Sequence, residues 1–199
     1  CATEVTFSQL DDELIWTYVN SGEGDDKAGA YALQGIASML IEKVKGSVST
    51  VIGLPICEVR ECLKEFGIEY KAHILSAHRV PEKLEEVLAE LEGQGLQVII
   101  AGAGLAAHLP GVIASKTVLP VIGVPLDAKL GGLDALYSIV QMPKSIPVAT
   151  VGIDNSYNAA MLAVQILALN DESINSKLIS FRKNMKEQFI IENSEGFTF

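Results

Sequence analysis

Positive charge is scarce in this chain, cysteine is scarcer, and no apolar run approaches the length of a membrane span. Each shortage removes a class of function. Lys and Arg number 15 against 25 Asp and Glu, a formal charge of −10, whereas a polyanion is gripped by clustered cations that neutralise its phosphates. Nucleic acid is therefore not an expected partner. Cys1, Cys57 and Cys62 are an odd number, without Cys-x-x-Cys or histidine spacing for zinc. Cys57 and Cys62 sit five apart in a helical pattern, point to different faces and read as reduced cytosolic thiols. The most apolar stretch, Val98 to Ala107, falls short of the roughly 20 residues that cross a bilayer and runs straight into His108 and Pro110. No signal or membrane segment is visible, so a cytoplasmic protein is expected. Cys1 in place of an initiating Met is expected of a fragment or a processed product, whose upstream part has lost residues.

What is present is the composition of a globular protein, 49% hydrophobic and 20% charged over 199 residues. Ser8 followed by Asp11 and the run to Val19 reads as a capped helix with Leu10, Leu14, Ile15 and Val19 as its apolar stripe. Asn20 to Gly29 is a polar loop, Met39 to Lys45 and Thr50 to Leu54 read as strands, and a helix spans about Ile56 to Phe66. From Glu69 onward the alternation is cleaner. Strands are expected at Tyr70 to Leu75, Gln97 to Ala101, Val121 to Val124 and Val148 to Val151, with helices at Pro81 to Leu91, Leu109 to Lys116, Leu133 to Gln141 and Asn155 to Leu169. Crossovers of that length make neighbouring strands parallel, which predicts a doubly wound α/β sheet. Ile174, Leu178, Phe181, Met185 and Phe189 then recur at helical spacing on an otherwise polar helix. That stripe either packs on its own domain or reaches a neighbouring subunit.

In such sheets ligands bind beyond the carboxyl ends of the strands. Ser76 to Arg79, Gly102 to His108 and Pro125 to Gly132 each follow a strand there, and should line one crevice. His78 beside Arg79 sets a group that carries a proton near neutral pH next to a fixed cation suited to phosphate or carboxylate. A loop histidine is more often structural than catalytic, but its place at a strand's carboxyl end brings the two readings level. His108, ahead of Leu109 and Pro110, reads as a cap or brace of the glycine loop, and His73 lies within a strand pattern without a role. The small residues Ala103, Gly104, Ala106 and Ala107 let backbone amides approach a ligand closely and form a tight apolar pocket, suited to carbon dioxide or a flat ring. A weaker rival is a dinucleotide fingerprint through Gly102, Gly104 and Ala107 with Asp127 twenty residues on, although Pro110 falls where its helix needs an unbroken first turn.

From about Glu65 to Gln188 the chain resembles class I carboxyaminoimidazole ribonucleotide mutase, the bacterial-type AIR carboxylase of purine synthesis. The resemblance rests on Ser76-Ala77-His78-Arg79 with Pro81-Glu82, on the Ala-Gly-Ala-Gly loop leading to His108-Leu109-Pro110-Gly111, and on Pro120 to Pro125, Ser138 to Pro143 and Ile146 to Val151. It implies a flavodoxin-like, three-layer αβα sheet with an α+β segment before it. It also implies His78 as acid/base catalyst, with Ser76, Ala77, Arg79, Gly102, Ala103, Gly104, Ala106, His108 and Leu109 around an imidazole ribonucleotide. Neither metal nor organic cofactor is implied, and members of the family assemble as octamers. The family's opening Gly-Ser-x-Ser-Asp loop, which binds phosphate and ribose, is missing. Thr50 to Pro55 and the helix carrying Glu58 to Phe66 stand in its place, with no hydroxyl or carboxylate in the turn. An assembling homologue without activity is the alternative that this loss leaves open.

Residues 1–66 resemble instead the carboxyl-terminal portion of Maf-type nucleoside triphosphate pyrophosphatases, through Thr3 to Phe7, Asp26 to Tyr31, Gln34-Gly35 and Val51 to Pro55. The resemblance implies Lys27 and Gln34 as nucleotide contacts, but that family's opening loop and general-base aspartate are absent, so packing is the expected role of this part, with a nucleotide-binding pyrophosphatase remnant as the alternative. The chain divides accordingly into a Maf-like segment over 1–49, an AIR carboxylase-like domain over 50–192 and a flexible tail over 193–199, with 50–66 common to both resemblances. A gene fusion, a recombinant chimera and an assembly artefact would all produce such a join.

Overall fold

Val121 to Pro125 is buried at every position, as befits a strand covered on both faces. Its neighbours explain why. In the computed structural model, which describes residues 3–24, 30–31, 33, 35–45, 54 and 56–194, the main sheet has the order β3 (Ile99–Ala103), β4 (Val121–Pro125), β5 (Ala149–Thr150). Both pairings are parallel, with Ile99 opposite Val121 and Ile122 opposite Ala149. Alternate side chains go to opposite layers, as the two-residue period of a strand requires. Ala101 and Val121 pack on α3 (Pro81–Gly93) and α4 (Leu109–Ala114) through Leu84, Leu88, Ile113 and Ala114. On the other face Ile122 and Val124 pack on Ala159 and Ala163 of α6 (Ser156–Ala168).

Helix α5 (Leu133–Val140) lies so close to β4 that Gly123 has no room for a side chain. A Cβ there would fall far inside van der Waals contact with Ile139 Cγ2 and 3.0 Å from Val148 Cγ1.

Helix α2 (Ile56–Phe66) buries Val59, Cys62, Leu63 and Phe66 at i, i+3, i+4 and i+7, against Ala160, Met161 and Val164 of α6. It ends in a Schellman motif: Ile68 N–H reaches Leu63 O at 2.9 Å, Gly67 N–H reaches Lys64 O at 3.0 Å, and Gly67 takes φ 74°. Lys177 Nζ adds a 2.9 Å bond to Phe66 O. Lys177 belongs to α7 (Glu172–Glu192), capped by Asp171, whose side chain accepts from Ile174 N–H at 3.0 Å. Phe66 and Phe181 meet edge to face, centroids 5.7 Å apart.

The N-terminal unit is separate in its packing. Strand β1 (Glu4–Phe7) pairs antiparallel with β2 (Ile41–Lys45), and α1 (Asp12–Asn20) follows β1. None of these residues enters the four hydrophobic clusters of the α/β domain.

Several expectations change. The cap of α1 is Asp11, whose carboxylate accepts from Leu14 N–H at 2.8 Å, because Ser8 directs its N–H and hydroxyl to Leu40 O and extends the pairing of β1. The strand expected from Met39 starts at Ile41. Ile36 to Leu40 forms a 3₁₀ turn whose Ile36 and Ala37 N–H groups are held by the Glu23 carboxylate at 2.9 Å each. Tyr70 to Leu75 forms no strand; the strand expected over Thr50 to Leu54 lies outside the described residues apart from Leu54. The expected helices hold to within a few residues. The stripe of α7 is divided: Ile174, Leu178 and Phe181 pack on the α2 and α6 cluster, while Met185 and Phe189 are exposed.

Candidate active site

The geometry of the crevice follows from the way β3 and β4 end. Leu126 N–H bonds Ala103 O at 3.0 Å, and Asp154 N–H bonds Pro125 O at 2.9 Å, so the loops after these strands leave the sheet side by side. Asp154 carries a further tie: its Oδ1 accepts from Asp127 N–H at 3.0 Å. Sequence reasoning gave Asp154 no role, and its pattern offers no signal beyond a polar residue ahead of a helix. Gly104 packs close to Ala128, where a Cβ would meet the alanine Cβ at 3.0 Å.

Leu105 and Ala107 adopt left-handed φ of 56° and 42°, a strained conformation for residues with a side chain. The strain is held in place by Ala107 N–H bonding Gly104 O at 3.0 Å and by burial of the Ala107 methyl against Ala135 and Ile139. Ala106 at the crest is exposed, and Leu109 at the start of α4 is half-buried in the domain core.

Ser76 to Arg79 forms a turn closed by Val80 N–H on Ser76 O at 3.1 Å and by Arg79 N–H on Ser76 Oγ at 3.2 Å. Ala77 anchors it through the cluster of Leu84 and Ala101, which leaves His78 and Arg79 exposed. The two loops meet at their histidines. His78 Nε2 stands 2.6 Å from His108 Nδ1, with the rings edge to face and centroids 4.8 Å apart. A bond between two imidazole nitrogens holds one proton, so one ring donates while the other accepts.

His108 holds the N-cap position of α4 through its backbone, with Val112 N–H on its carbonyl at 2.9 Å, but its side chain makes no capping bond and is turned to His78 across 30 residues of sequence. Gly102 and Ala103 lie inside β3, paired with Val124 and Pro125, so the loop proper begins at Gly104. This placement also removes the dinucleotide reading, whose first glycine must sit in the strand-to-helix turn and whose helix must follow at once; here α4 starts only at Leu109. Ser76, Ala77, Gly104, Ala106 and Leu109 stand on the loops that carry the imidazole pair. Lys27 and Gln34 lie outside the described residues.

A carboxylate does stand near the carboxyl edge of the sheet. Glu58, in the first turn of α2, accepts a 2.9 Å bond from Ser156 Oγ at the start of α6, and Ser156 is wholly buried. Among the described residues no cluster of His, Cys, Asp or Glu could hold a metal ion, and no helix is long and apolar enough to cross a membrane.

A three-layer α/β domain with small-residue loops and an imidazole pair beyond the ends of its parallel strands is a small-ligand enzyme scaffold. Residues 40–188 match the family model of AIR carboxylase, and residues 1–66 match that of Maf-like protein, so 40–66 falls within both. The N5-carboxyaminoimidazole ribonucleotide mutase of Methanocaldococcus jannaschii is 60% identical over 126 residues, 63% of this chain and 78% of that one. The mutase of Pyrococcus horikoshii is 56% identical over 137 residues, 68% of this chain and 77% of that one. Among solved structures, Treponema denticola PurE superposes with a TM-score of 0.65 at 30% identity, over 70% of this chain and 88% of that chain. The chain belongs to the AIR carboxylase family, and its fold is the flavodoxin-like α/β architecture of that relative.

Proposed function

We infer that this protein moves the carboxylate of a carboxyaminoimidazole ribonucleotide from the exocyclic nitrogen to the adjacent ring carbon, the mutase step of purine synthesis. The observation that carries this reading is the contact of His78 with His108 at 2.6 Å on adjoining strand-end loops. The reaction needs one proton moved twice. As the N–C bond breaks and carbon dioxide leaves, the nitrogen takes up a proton. As the ring carbon attacks the carbon dioxide, that carbon releases one. The two transfers cancel, so a single imidazole that first gives and then takes a proton serves both, and His78 is that group. His108 shares the proton-bearing bond and orients the ring; Ser76 and the backbone around Gly104 to Ala106 hold the migrating carboxylate, and Arg79 the ribose phosphate. The small loop residues leave a tight apolar space that keeps carbon dioxide near the carbon it must join.

Assembly as an octamer, by likeness to the family, is part of the same proposal. So is the division of the chain: the segment over 1–49 packs as a Maf-like remnant beside a domain that begins near residue 50.

Turnover of carboxyaminoimidazole ribonucleotide, followed by ultraviolet absorbance over a wide substrate range, tests the reading. The expected result is conversion that His78→Ala lowers by about 10²–10⁴ or more, the range of general acid/base catalysis. No conversion by folded wild-type protein would instead make the chain an inactive homologue. The missing Gly-Ser-x-Ser-Asp loop has its own signature. Each lost charge-assisted contact of about 1.5–3 kcal/mol raises the half-saturating substrate concentration tenfold or more relative to the Methanocaldococcus relative.

A further inference from the structure

Two exposed leucines stand at left-handed φ on adjoining strand-end loops. Leu105, on the loop after β3, has φ 56° and is 41% exposed; Leu130, on the loop after β4, has φ 53° and is 77% exposed. A Cβ makes that conformation costly, and residues that carry one enter it singly. Leu130 instead opens a run of three left-handed residues, with Gly131 at 62° and Gly132 at 74°.

The packing of the domain does not offset this strain. Ala107 is held left-handed by burial against Ala135 and Ile139, but neither Leu105 nor Leu130 enters a hydrophobic cluster of the described residues. Behind the second turn, Asp134 Oδ1 at the start of α5 is buried with no hydrogen-bond donor among the described residues, a further cost. Gly131 has open space where a Cβ would stand, so the turn has room to move. The two loops touch at their base, where Gly104 packs on Ala128, and each leucine follows that contact closely in sequence. Strain without a packing cause, on loops that border a site, points to work done on the ligand.

The mutase reading, on which this inference rests, supplies that work. Carbon dioxide freed from the exocyclic nitrogen is small and uncharged, so little holds it electrostatically while the ring carbon turns to attack. It escapes unless the site is closed against water. Two apolar side chains without donor or acceptor suit such a cover.

We propose that Leu105 and Leu130 close over the bound ring as a gate that retains carbon dioxide between the two half-reactions. When the gate fails, the N–C bond has broken and the nitrogen has taken up a proton, but no carbon–carbon bond forms. The products are then aminoimidazole ribonucleotide and carbon dioxide, with one proton consumed.

The experiment turns over substrate carrying ¹³C in the migrating carboxylate, in unlabelled bicarbonate. Mass spectrometry reads the label kept in the product and the aminoimidazole ribonucleotide released. Wild-type protein should keep the label. Leu105→Ala with Leu130→Ala should raise its loss about tenfold, the scale on which small apolar deletions act in a pocket. Leu105→Met, close in volume, should restore retention when made in place of Leu105→Ala. Leu130→Gly separates gate from scaffold: it relieves strain and should raise the thermal midpoint while it increases the leak. Label retention indifferent to both leucines, with substrate still consumed, overturns the gate alone. So does loss of assembly in sedimentation velocity with retention unchanged, which would place the leucines at a subunit contact. No consumption of substrate by folded wild-type protein overturns the mutase reading and the gate with it.

Discussion

His108 shows how a residue's neighbours replace its sequence context. Its place before Leu109 and Pro110 reads as a cap or brace of the glycine loop; its backbone does hold the N-cap position, and its ring meets His78 across 30 residues of sequence. Replacing His108 by Phe keeps the bulk of the ring but removes the shared proton. The expected outcome is a fall in kcat with KM little changed, whereas a purely packing role would leave kcat in place. Ser156 is wholly buried and donates to Glu58. Glu58→Ala leaves that hydroxyl without its acceptor and should cost about 1–3 kcal/mol in denaturant unfolding. Cys62, in contact with Met161 Sδ at 3.4 Å, has its thiol pushed up to about 11 by burial and then by the charge of Glu65. Its thiolate is disfavoured in the fold, so the stability it contributes is complete below pH 9 and is lost as pH rises towards 11. Cys62→Ala should flatten the alkaline fall in stability over that window, and peptide mapping after alkylation of native protein should find Cys57 modified ahead of Cys62.

At the scale of elements, periodicity was readable wherever one face of a helix is buried. The i, i+3, i+4, i+7 pattern of α2 marks the residues that meet α6. Strand ends were less readable, because pairing depends on a partner distant in sequence: Gly102 and Ala103 look like loop residues, but Val124 and Pro125 hold them in a ladder. The same holds for Tyr70 to Leu75, whose β-like pattern forms no strand among the described residues. Gly123 is set by the close approach of α5. Gly123→Ala is expected to destabilise by about 1–3 kcal/mol through overpacking, and Ile139→Ala in the same chain should recover part of the loss. Differential scanning calorimetry of the single and double variants measures the coupling.

Over the whole molecule, the two family matches overlap across residues 40–66, but packing assigns α2 to one side of that overlap. Its buried residues join α6 and α7, while β1, α1 and β2 join no cluster of the α/β domain. Removing residues 1–49 should therefore leave the thermal midpoint of the α/β domain within about 4 °C, a change of roughly 1 kcal/mol or less for a domain of this size. Removing residues 1–66 should prevent folding, because Phe66, Leu63 and Val59 leave a large hole against α6. Limited proteolysis and thermal melts of the two truncations separate these outcomes.

The sequence by itself determined the α/β class, the helices, the three loops at the strand ends and the family likeness, because these depend on residues close together in the chain or on motifs that remain intact. Only the tertiary structure decided that His108 faces His78, that Asp154 ties two loops, that Glu58 meets Ser156 and that the stripe of α7 is half covered. Each of those contacts joins segments far apart in sequence, and the direction of a side chain is set by the backbone that packs beneath it.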